Sequence, residues 1–347
     1  MRKKCRLVMR TCWVLDHPAH VRLMLPLLQK SGTRDLIIAS NRAEIRQLLA
    51  TAEGLLPTRE LHWVERPVGR YKIVKAWMRI RKVKAIFRRA AKNNMPVKRV
   101  VGVGAPLELI AHQSLRHHRH SSFERWYITD TEVNHVAHRL AKKAATDVVV
   151  PTHWDASLDG SFITQWSGRL HRLDGLHGHI HLTPQLKSRT IRHPPALLVR
   201  RLQGDGIHDS DEMLPLDEET WADCDVTFVD EFNGIDEPWK LDSMLSSADG
   251  VITQSVTMAS EAVILGTPTL LVSKAQRGFL DRLEREGAPL FRWQSECKGD
   301  AWEDVKAQFF AGLHLTDALE EMEWPDVKEA FVNLFFDSSP MQNTLHQ

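Results

Sequence analysis

Residues 248–268 read ADGVITQSVTMASEAVILGTP. A short apolar strand, Val251–Thr253, enters a polar turn, and an apolar helix follows that closes at Gly266-Thr267-Pro268. A strand followed directly by a helix is the repeating unit of a parallel sheet covered by helices. One carboxylate, Glu261, lies among the apolar neighbours of that helix, where a buried charge needs a partner or a ligand. This stretch therefore indicates the fold class and singles out Glu261.

The same alternation runs through most of the chain. Strands are predicted at Arg6–Leu15, Leu36–Ala39, Leu61–Val64, Val97–Val103, Trp126–Thr129, Asp147–Val150, Ala196–Arg200, Val226–Val229, Val251–Thr253 and Thr269–Val272, with helices between most of them. The aperiodic segment His171–Pro195 is predicted to end the first domain and form a linker. We expect an α/β protein of two doubly wound Rossmann-like domains facing a central cleft, residues 1–185 and 196–324, with a C-terminal helix within 325–347 returning to the first domain.

Composition excludes several classes of protein. The 347 residues are 43% apolar and 26% charged, which is typical of a globular protein with two domains. A net charge of +2 gives no reason to expect a nucleic-acid partner. The four cysteines form no CxxC pair, and no run is long enough to span a membrane. Arg6, Arg10 and Asp16 interrupt the only stretch that resembles a signal peptide, so we expect a reduced, cytoplasmic protein.

Eighteen histidines raise the question of a metal site. The cluster His117–His120 has no carboxylate nearby. His177, His179 and His181 would share one face if this stretch were a strand, but they lack the carboxylates and the spacing of a zinc signature. We expect neither a metal ion nor another cofactor.

The turn before the helix of Glu261 suits an anion. Ser255 and Thr257 can cap the helix or bind a phosphate oxygen beside its N-terminal N–H groups. Glu261 lies four residues after Thr257 on the same face, where a carboxylate suits a ribose diol. The alternative is an ordinary N-cap followed by an exposed Glu261. Arg200 ends a strand and His208 follows, so both can contact the same phosphate, although Arg200 can equally be a surface residue.

Candidates for acid–base chemistry follow two strands of the first domain. Asp16 and His20 come after the first strand, and either can act as a general base. The alternative is that Asp16 caps the next helix, with Pro18 in its first turn. Asp130 and Glu132 follow the strand Trp126–Thr129 and can supply a catalytic acid or base, or merely favour a helix N-terminus by their charge.

The stretch 248–268 resembles the nucleotide-sugar site of GT-B glycosyltransferases and UDP-N-acetylglucosamine 2-epimerases. Those proteins have a Ser/Gly-rich turn, a helix with a ribose-binding Glu, and a Gly-x-Pro, which Ser255, Glu261, Gly266 and Pro268 match. The resemblance implies a donor site formed by Arg200, His208, Ser255, Val256, Thr257, Met258 and Glu261. Val256 and Thr257 stand where the turn usually has glycines, which allow close backbone approach to a diphosphate.

A narrower resemblance spans roughly residues 13–287. The stretches WVLDHPAHVRLMLPLL (13–28), ITDTEVNHVAHRLAKKAATDVVVPTHWD (128–155) and VTMASEAVILGTP (256–268) are similar to a largely archaeal family, domain of unknown function 354. This resemblance implies a GT-B fold and leaves the activity unassigned.

Together these resemblances favour a glycosyltransferase that moves a sugar from a nucleotide-sugar donor, a UDP-sugar, to an acceptor. GT-B enzymes commonly need no metal. A nucleotide-sugar 2-epimerase is the first alternative, although Val101–Gly104 lacks the Asp that the epimerases carry at that strand end. A non-catalytic nucleotide-sugar binding protein is the second, favoured by the missing turn glycines.

The segment 70–99 contains twelve Lys or Arg residues and no acidic residue. Apolar residues recur in it at helical spacing, from Ile73 and Trp77 to Val83 and Phe87. One interpretation is a core-packed helix with a solvated basic face. The other is a surface that attracts anionic lipid headgroups, with the protein peripheral on the inner face of the cell membrane and acting on a lipid-linked acceptor.

Overall fold

The computed structural model describes residues 10–52, 60–115, 123–175, 177–182, 190–202, 216, 221–229, 237–314 and 327–336. Within them the strands form two separate sheets, and all strand pairs are parallel. Helices cover both sheets, so the prediction of two Rossmann-like domains is confirmed.

The first sheet has seven strands in the order β3-β2-β1-β4-β5-β6-β7. These strands are β1 Arg10–Leu15, β2 Leu36–Ser40, β3 Glu60–Val64, β4 Val97–Val103, β5 Glu124–Ile128, β6 Asp147–Pro151 and β7 Arg169–Leu173. The helices between them are α1 Pro18–Lys30, α2 Ala43–Thr51, α3 Lys72–Lys92, α4 Pro106–Gln113 and α5 His135–Ala144. All residues of β1 are buried, as expected for a central strand covered on both faces. The strand order reverses between β1 and β4, where ligands bind in doubly wound sheets.

The second sheet has five strands in the order β12-β11-β10-β8-β9. They are β8 Ala196–Arg200, β9 Asp225–Phe228, β10 Gly250–Thr253, β11 Thr269–Val272 and β12 Leu290–Trp293. A 3-10 turn, Pro238–Lys240, precedes α7 Leu241–Ser247, and the further helices are α8 Val256–Ile264, α9 Gly278–Arg285 and α10 Asp300–Gly312. The stretch 248–268 thus contains β10 and α8, at the centre of this domain.

The segment His171–Pro195, predicted to end the first domain and form a linker, contains regular structure. It includes the end of β7 and a short helix, α6 His177–His181, so these histidines lie on a helix and not on the strand considered as one possibility. Strand β7 is polar and escapes a search for apolar runs. It forms because Asp147, fully buried on β6, binds Arg169 through two hydrogen bonds of 2.6 and 2.8 Å and lies 3.0 Å from His171.

The last described helix, α11 Val327–Phe336, packs on the first domain. Phe335 is buried with its ring centroid 6.0 Å from that of Trp13 and 4.7 Å from that of Trp126. The carbonyl oxygen of Phe335 also accepts a hydrogen bond of 2.7 Å from Arg99 on β4. This helix therefore completes a face of the first sheet after the chain has passed through the second domain.

The two domains are in direct contact. Helix α6 contributes Ile180 to the first-domain core, and Leu182, which follows the helix, belongs to the second-domain core. Gly278, at the start of α9, lies so close to the first domain that a Cβ atom on this residue would be 2.6 Å from the His153 carbonyl oxygen. The indole N–H of Trp239 donates to the Leu48 carbonyl oxygen at 3.1 Å. These contacts hold the carboxyl ends of strands from both sheets against one cleft.

Candidate functional site

A cavity of about 130 Å³ lies between the domains. Its first-domain lining is His17, Pro18, Ala19, Arg22, Arg42, Glu44, Gln47 and Leu48, and its second-domain lining is Arg200, Pro238, Leu241, Ser255, Thr257, Met258 and Glu261. The segments that follow β1, β8 and β10 all reach it, which is the edge at which doubly wound sheets bind ligands. Five residues predicted to bind a nucleotide sugar therefore lie together on this cavity.

The N-terminus of α8 forms one wall of the cavity. Ser255 is the N-cap, and its hydroxyl oxygen accepts the N–H of Met258 at 3.4 Å. The helix begins at Val256, so Val256 and Thr257 are its first two residues and not part of the preceding turn. Neither has a positive φ. Because these positions are helical, they do not require the conformational freedom of glycine. Val256 and Thr257 therefore adopt the backbone conformation of this site without strain.

Glu261 lies at the base of the cavity and is only 2% exposed, so the alternative of an exposed glutamate is wrong. Its Oε2 accepts a hydrogen bond of 3.0 Å from Arg22 of α1, across the domain boundary. Nε2 of His181 lies 3.2 Å from its Oε1. Arg22 also forms an ion pair with Asp242 of α7. The carboxylate singled out in the sequence is therefore already paired with a first-domain cation.

Besides Arg22, two guanidinium groups line the cavity, and a third lies near His17. Arg42 is the N-cap residue of α2, Arg200 ends β8, and Arg66 follows β3. Enclosure in the cleft and the nearby charges of these arginines lower the pKa of His17 well below its usual value. Burial and the charge of Arg42 also lower the pKa of Arg66. Like charges held this close favour an anionic ligand that would neutralise them.

The cations are only partly compensated. Arg42 pairs with Glu44 at 3.2 Å, and Arg200 donates to the Val229 carbonyl oxygen at 2.9 Å. Among the described residues no side-chain partner of Arg66 is seen. The predicted phosphate contact at Arg200 thus lies beside two further arginines, Arg42 and Arg66, that the sequence analysis did not select.

Asp16 belongs to a charged network next to the cavity. Its carboxylate pairs with Arg79 of α3 at 2.8 Å and accepts the Ser40 hydroxyl. Burial alone would raise the pKa of Asp16, but Arg79 and Ser40 hold it well below its usual range. Arg79 also binds Glu108 at 2.6 Å. Burial and the charge of Asp16 raise the pKa of Glu108. A carboxylate with so low a pKa is a weak base at neutral pH.

Helix α1 is capped differently from the alternative considered for Asp16. His17 is the N-cap, and its Nδ1 accepts the N–H of Ala19 at 3.3 Å, while Pro18 is the first helical residue as expected. The ring of His20 lies 5.6 Å from that of His17, between centroids. His17 thus lines the cavity, and His20 lies beside His17 without lining the cavity itself.

The other predicted first-domain residues lie elsewhere. Glu132 is buried, and its Oε1 accepts the N–H of Asp155 at 3.2 Å and of Gly278 at 3.1 Å, so it joins α9 to the first domain. Burial raises its pKa. Asp130 accepts the Thr131 hydroxyl at 3.1 Å. Neither residue lines the cavity. His208 lies outside the described residues.

Two further observations concern the part of the chain that the structure describes. No group of three or more His, Cys, Asp or Glu side chains there is placed to hold a metal ion. None of the described helices is both long enough and apolar enough to cross a membrane.

Solved structures with the same architecture cover nearly the whole chain. A UDP-N-acetylglucosamine 2-epimerase from Listeria monocytogenes aligns with 97% of this chain and 99% of its own, at 11% identity and a TM-score of 0.62. The 2-epimerase of Methanocaldococcus jannaschii, solved with UDP-GlcNAc and UDP, aligns with 94% and 99%, at 12% identity and 0.57. A UDP-glucosyltransferase from Polygonum tinctorium aligns with 94% and 98%, at 10% identity and 0.53.

This likeness establishes the fold. The chain has the GT-B fold, as predicted. No family model matches the chain, and no curated protein does either. The resemblance to the family of domain of unknown function 354 therefore stays a prediction.

Proposed function

We propose that the chain is a glycosyltransferase that uses a nucleotide-sugar donor of the UDP-sugar class. The observation that supports this most is the convergence of the α8 N-terminus, Glu261, Arg42 and Arg200 on one interdomain cleft. A nucleoside diphosphate carries the two chemical groups that such a cleft suits, an anionic diphosphate and a ribose diol. Two of the matched proteins are a UDP-glucosyltransferase and a 2-epimerase solved with UDP-GlcNAc and UDP, which favours the same ligand class.

In this proposal the donor lies mainly on the second domain. The diphosphate contacts Ser255, Thr257 and the N–H groups at the start of α8, together with Arg200. Glu261 accepts both ribose hydroxyls. Ligand pockets of this kind usually occupy about 300–1,000 Å³. Since the present cavity has about 130 Å³, we expect the domains to open when the donor enters.

Transfer needs a base on the first-domain side. The acceptor hydroxyl gives up its proton as its oxygen attacks the anomeric carbon, and the bond from that carbon to the diphosphate oxygen breaks. His20 suits this role better than Asp16, whose low pKa makes it a weak proton acceptor. The negative charge that develops on the leaving diphosphate is stabilised by the α8 N-terminus and Arg200.

A 2-epimerase is the second candidate, because two of the matched structures are 2-epimerases. Against it, the end of β4 at Val103-Gly104 has no carboxylate of its own. The nearest acid in the chain after β4 is Glu108, which is fully buried and bound to Arg79. In D₂O an epimerase would incorporate deuterium at C2 of the donor sugar, whereas a transferase would release UDP without this exchange.

The donor site is tested by calorimetric titration with UDP, UDP-N-acetylglucosamine and GDP. We expect UDP to bind, and Glu261→Gln to weaken it by about tenfold or more, since a carboxylate is the stronger acceptor for ribose hydroxyls. Asp242→Asn is the matched control, because it removes the other ion pair of Arg22 without changing Glu261. UDP affinity that is equal in the wild type and in Glu261→Gln would contradict the ribose role.

The same titration separates catalysis from binding alone. A protein that binds UDP-N-acetylglucosamine but shows neither UDP release nor C2 exchange would be a non-catalytic nucleotide-sugar binder. No binding of any nucleoside diphosphate would overturn the proposed function altogether.

A further inference from the structure

Helix α3 carries an apolar surface that faces away from the protein. Tyr71, at the helix N-cap, is 63% exposed, and Ile73, Val74, Trp77 and Met78 are 80, 54, 54 and 59% exposed. Most large apolar side chains that are exposed singly need no explanation, but five within eight residues form a continuous patch. We call these five residues the α3 patch.

The α3 patch is a second apolar face of the helix. The face that packs on the first domain consists of Arg79, Val83, Phe87 and Ala90, and α3 contacts β3, β4 and α4. At 100° per residue, Ile73, Val74, Trp77 and Met78 project to the opposite side. Folding of the domain therefore does not account for them, because the core needs only one face of this helix.

The outward face turns basic further along the helix. Arg81, Lys84, Arg88 and Lys92 continue it at the three- and four-residue spacing of one helical side. The guanidinium of Arg81 lies 4.5 Å from the Trp77 ring centroid, which joins the apolar and basic parts. Further basic residues lie at the N-terminal end of the patch and between its members. These are Arg70, Lys72 and Lys75, and all three are exposed. No acidic residue occurs between residues 70 and 99.

We infer that α3 is a docking surface for an anionic membrane, with the α3 patch inserted among the lipid headgroups and the surrounding cations paired with lipid phosphates. An interfacial helix has this composition, with Trp and aliphatic side chains next to Lys and Arg on one exposed side. A second copy of the chain fits less well. A twofold contact through the patch would bring the basic residues around it close to the basic residues around the partner's patch, and like charges repel.

The orientation of α3 connects this surface to the cleft. Arg79, on its opposite face, binds Asp16 after β1, and the segment from Arg66 leads directly into the helix. A membrane held by α3 would thus lie on the first-domain side of the cleft. This inference concerns the location of the protein and does not depend on the proposed transfer reaction.

The test uses the full chain and sedimentation with vesicles of phosphatidylcholine, alone or with roughly one-third phosphatidylglycerol. We expect at least about tenfold stronger binding to the anionic vesicles, since each basic residue near such a surface contributes about fivefold. High salt weakens this binding through screening. Soluble glycerol phosphate at the same phosphate concentration should not displace the protein, because it offers no apolar layer for the patch.

Three variants assign the binding to α3. The triple variant Ile73→Ser, Trp77→Ser, Met78→Ser and the pair Arg81→Glu, Arg88→Glu should each lose about tenfold or more of vesicle binding. Val136→Ser, at a residue 72% exposed on α5, is the matched control and should bind like the wild type. Unchanged thermal unfolding midpoints and UDP titrations verify that each variant is folded and that the cleft is intact.

The inference is overturned by any of three results. The wild type fails to bind anionic vesicles, the triple variant binds them as well as the wild type, or sedimentation equilibrium shows a self-association that the triple variant abolishes without any vesicle binding.

Discussion

Arg79 shows how a single buried cation organises the first-domain side of the cleft. It lies at the spacing of the buried face of α3, where an apolar residue would normally stand, and is 4% exposed. Its guanidinium pairs with Asp16 and Glu108 and donates to Ser40. The pKa shifts of the two carboxyl groups are opposite: Arg79 and Ser40 lower the pKa of Asp16, whereas burial and the charge of Asp16 raise the pKa of Glu108.

Asp147 provides a pH-dependent prediction at this scale. Burial would raise its pKa, but bonds from His171, Arg169 and Thr146 lower it to about 2. Because the folded-state pKa lies below the unfolded one, Asp147 stabilises the protein above pH 4, and this contribution disappears as the pH falls toward 2. We expect Asp147→Asn to cost about 2 kcal/mol of unfolding free energy at pH 7.

The measurement is denaturant unfolding of the wild type and Asp147→Asn between pH 7 and the lowest pH at which both fold. The difference between them should shrink below about pH 4. A difference that stays constant with pH would show that packing of the side chain, and not its charge, provides the stability.

Some site residues can be predicted from the sequence and others cannot, for a physical reason. Ser255, Thr257 and Glu261 are found because their spacing within one strand–helix unit is local. The pairing of Glu261 with Arg22 joins residues 239 positions apart and depends on how two domains meet. The only local signal of Arg22 is its charge within the apolar run of α1, and that signal alone does not identify a partner.

At the scale of elements, the alternation of apolar strands and helices predicts most of the fold. Strand β4 and strand β8 have the predicted bounds, since apolar runs buried on both faces are easily recognised. Strand β7 was missed because it is an edge strand whose residues are mostly polar. Strand β12 and helix α10 were not assigned either. Edge elements depend on their neighbours more than on their own composition.

Helix α11 is the element whose contribution can be measured most directly. Phe335 is buried between Trp13 and Trp126, so Phe335→Ala should lower the stability of the first domain by about 4 kcal/mol through lost burial and a cavity. Phe336→Ala is the control, since Phe336 is only half-buried and should cost clearly less. Urea unfolding followed by tryptophan fluorescence gives both values. Equal costs would mean that α11 does not insert Phe335 into this core.

At the scale of the whole molecule, the pair of Arg22 and Glu261 joins the two domains through a buried charge. Removing one partner of a buried ion pair is costly, because the other charge stays unpaired. We expect Arg22→Gln to favour an open arrangement, with a larger radius of gyration in small-angle X-ray scattering. The double variant Arg22→Gln, Glu261→Gln should return toward the wild-type value, since neither charge is then buried alone. A single variant as compact as the wild type would contradict this.

The return of α11 to the first domain has a mechanical consequence. The backbone passes from the first domain to the second between residues 182 and 196, and passes back between residues 314 and 327. A body tethered at one point can swivel freely, but a body tethered at two points turns about the line that joins them. We therefore expect any movement of the second domain relative to the first to be mainly a rotation about the line that joins the two crossings, which would widen or narrow the cleft.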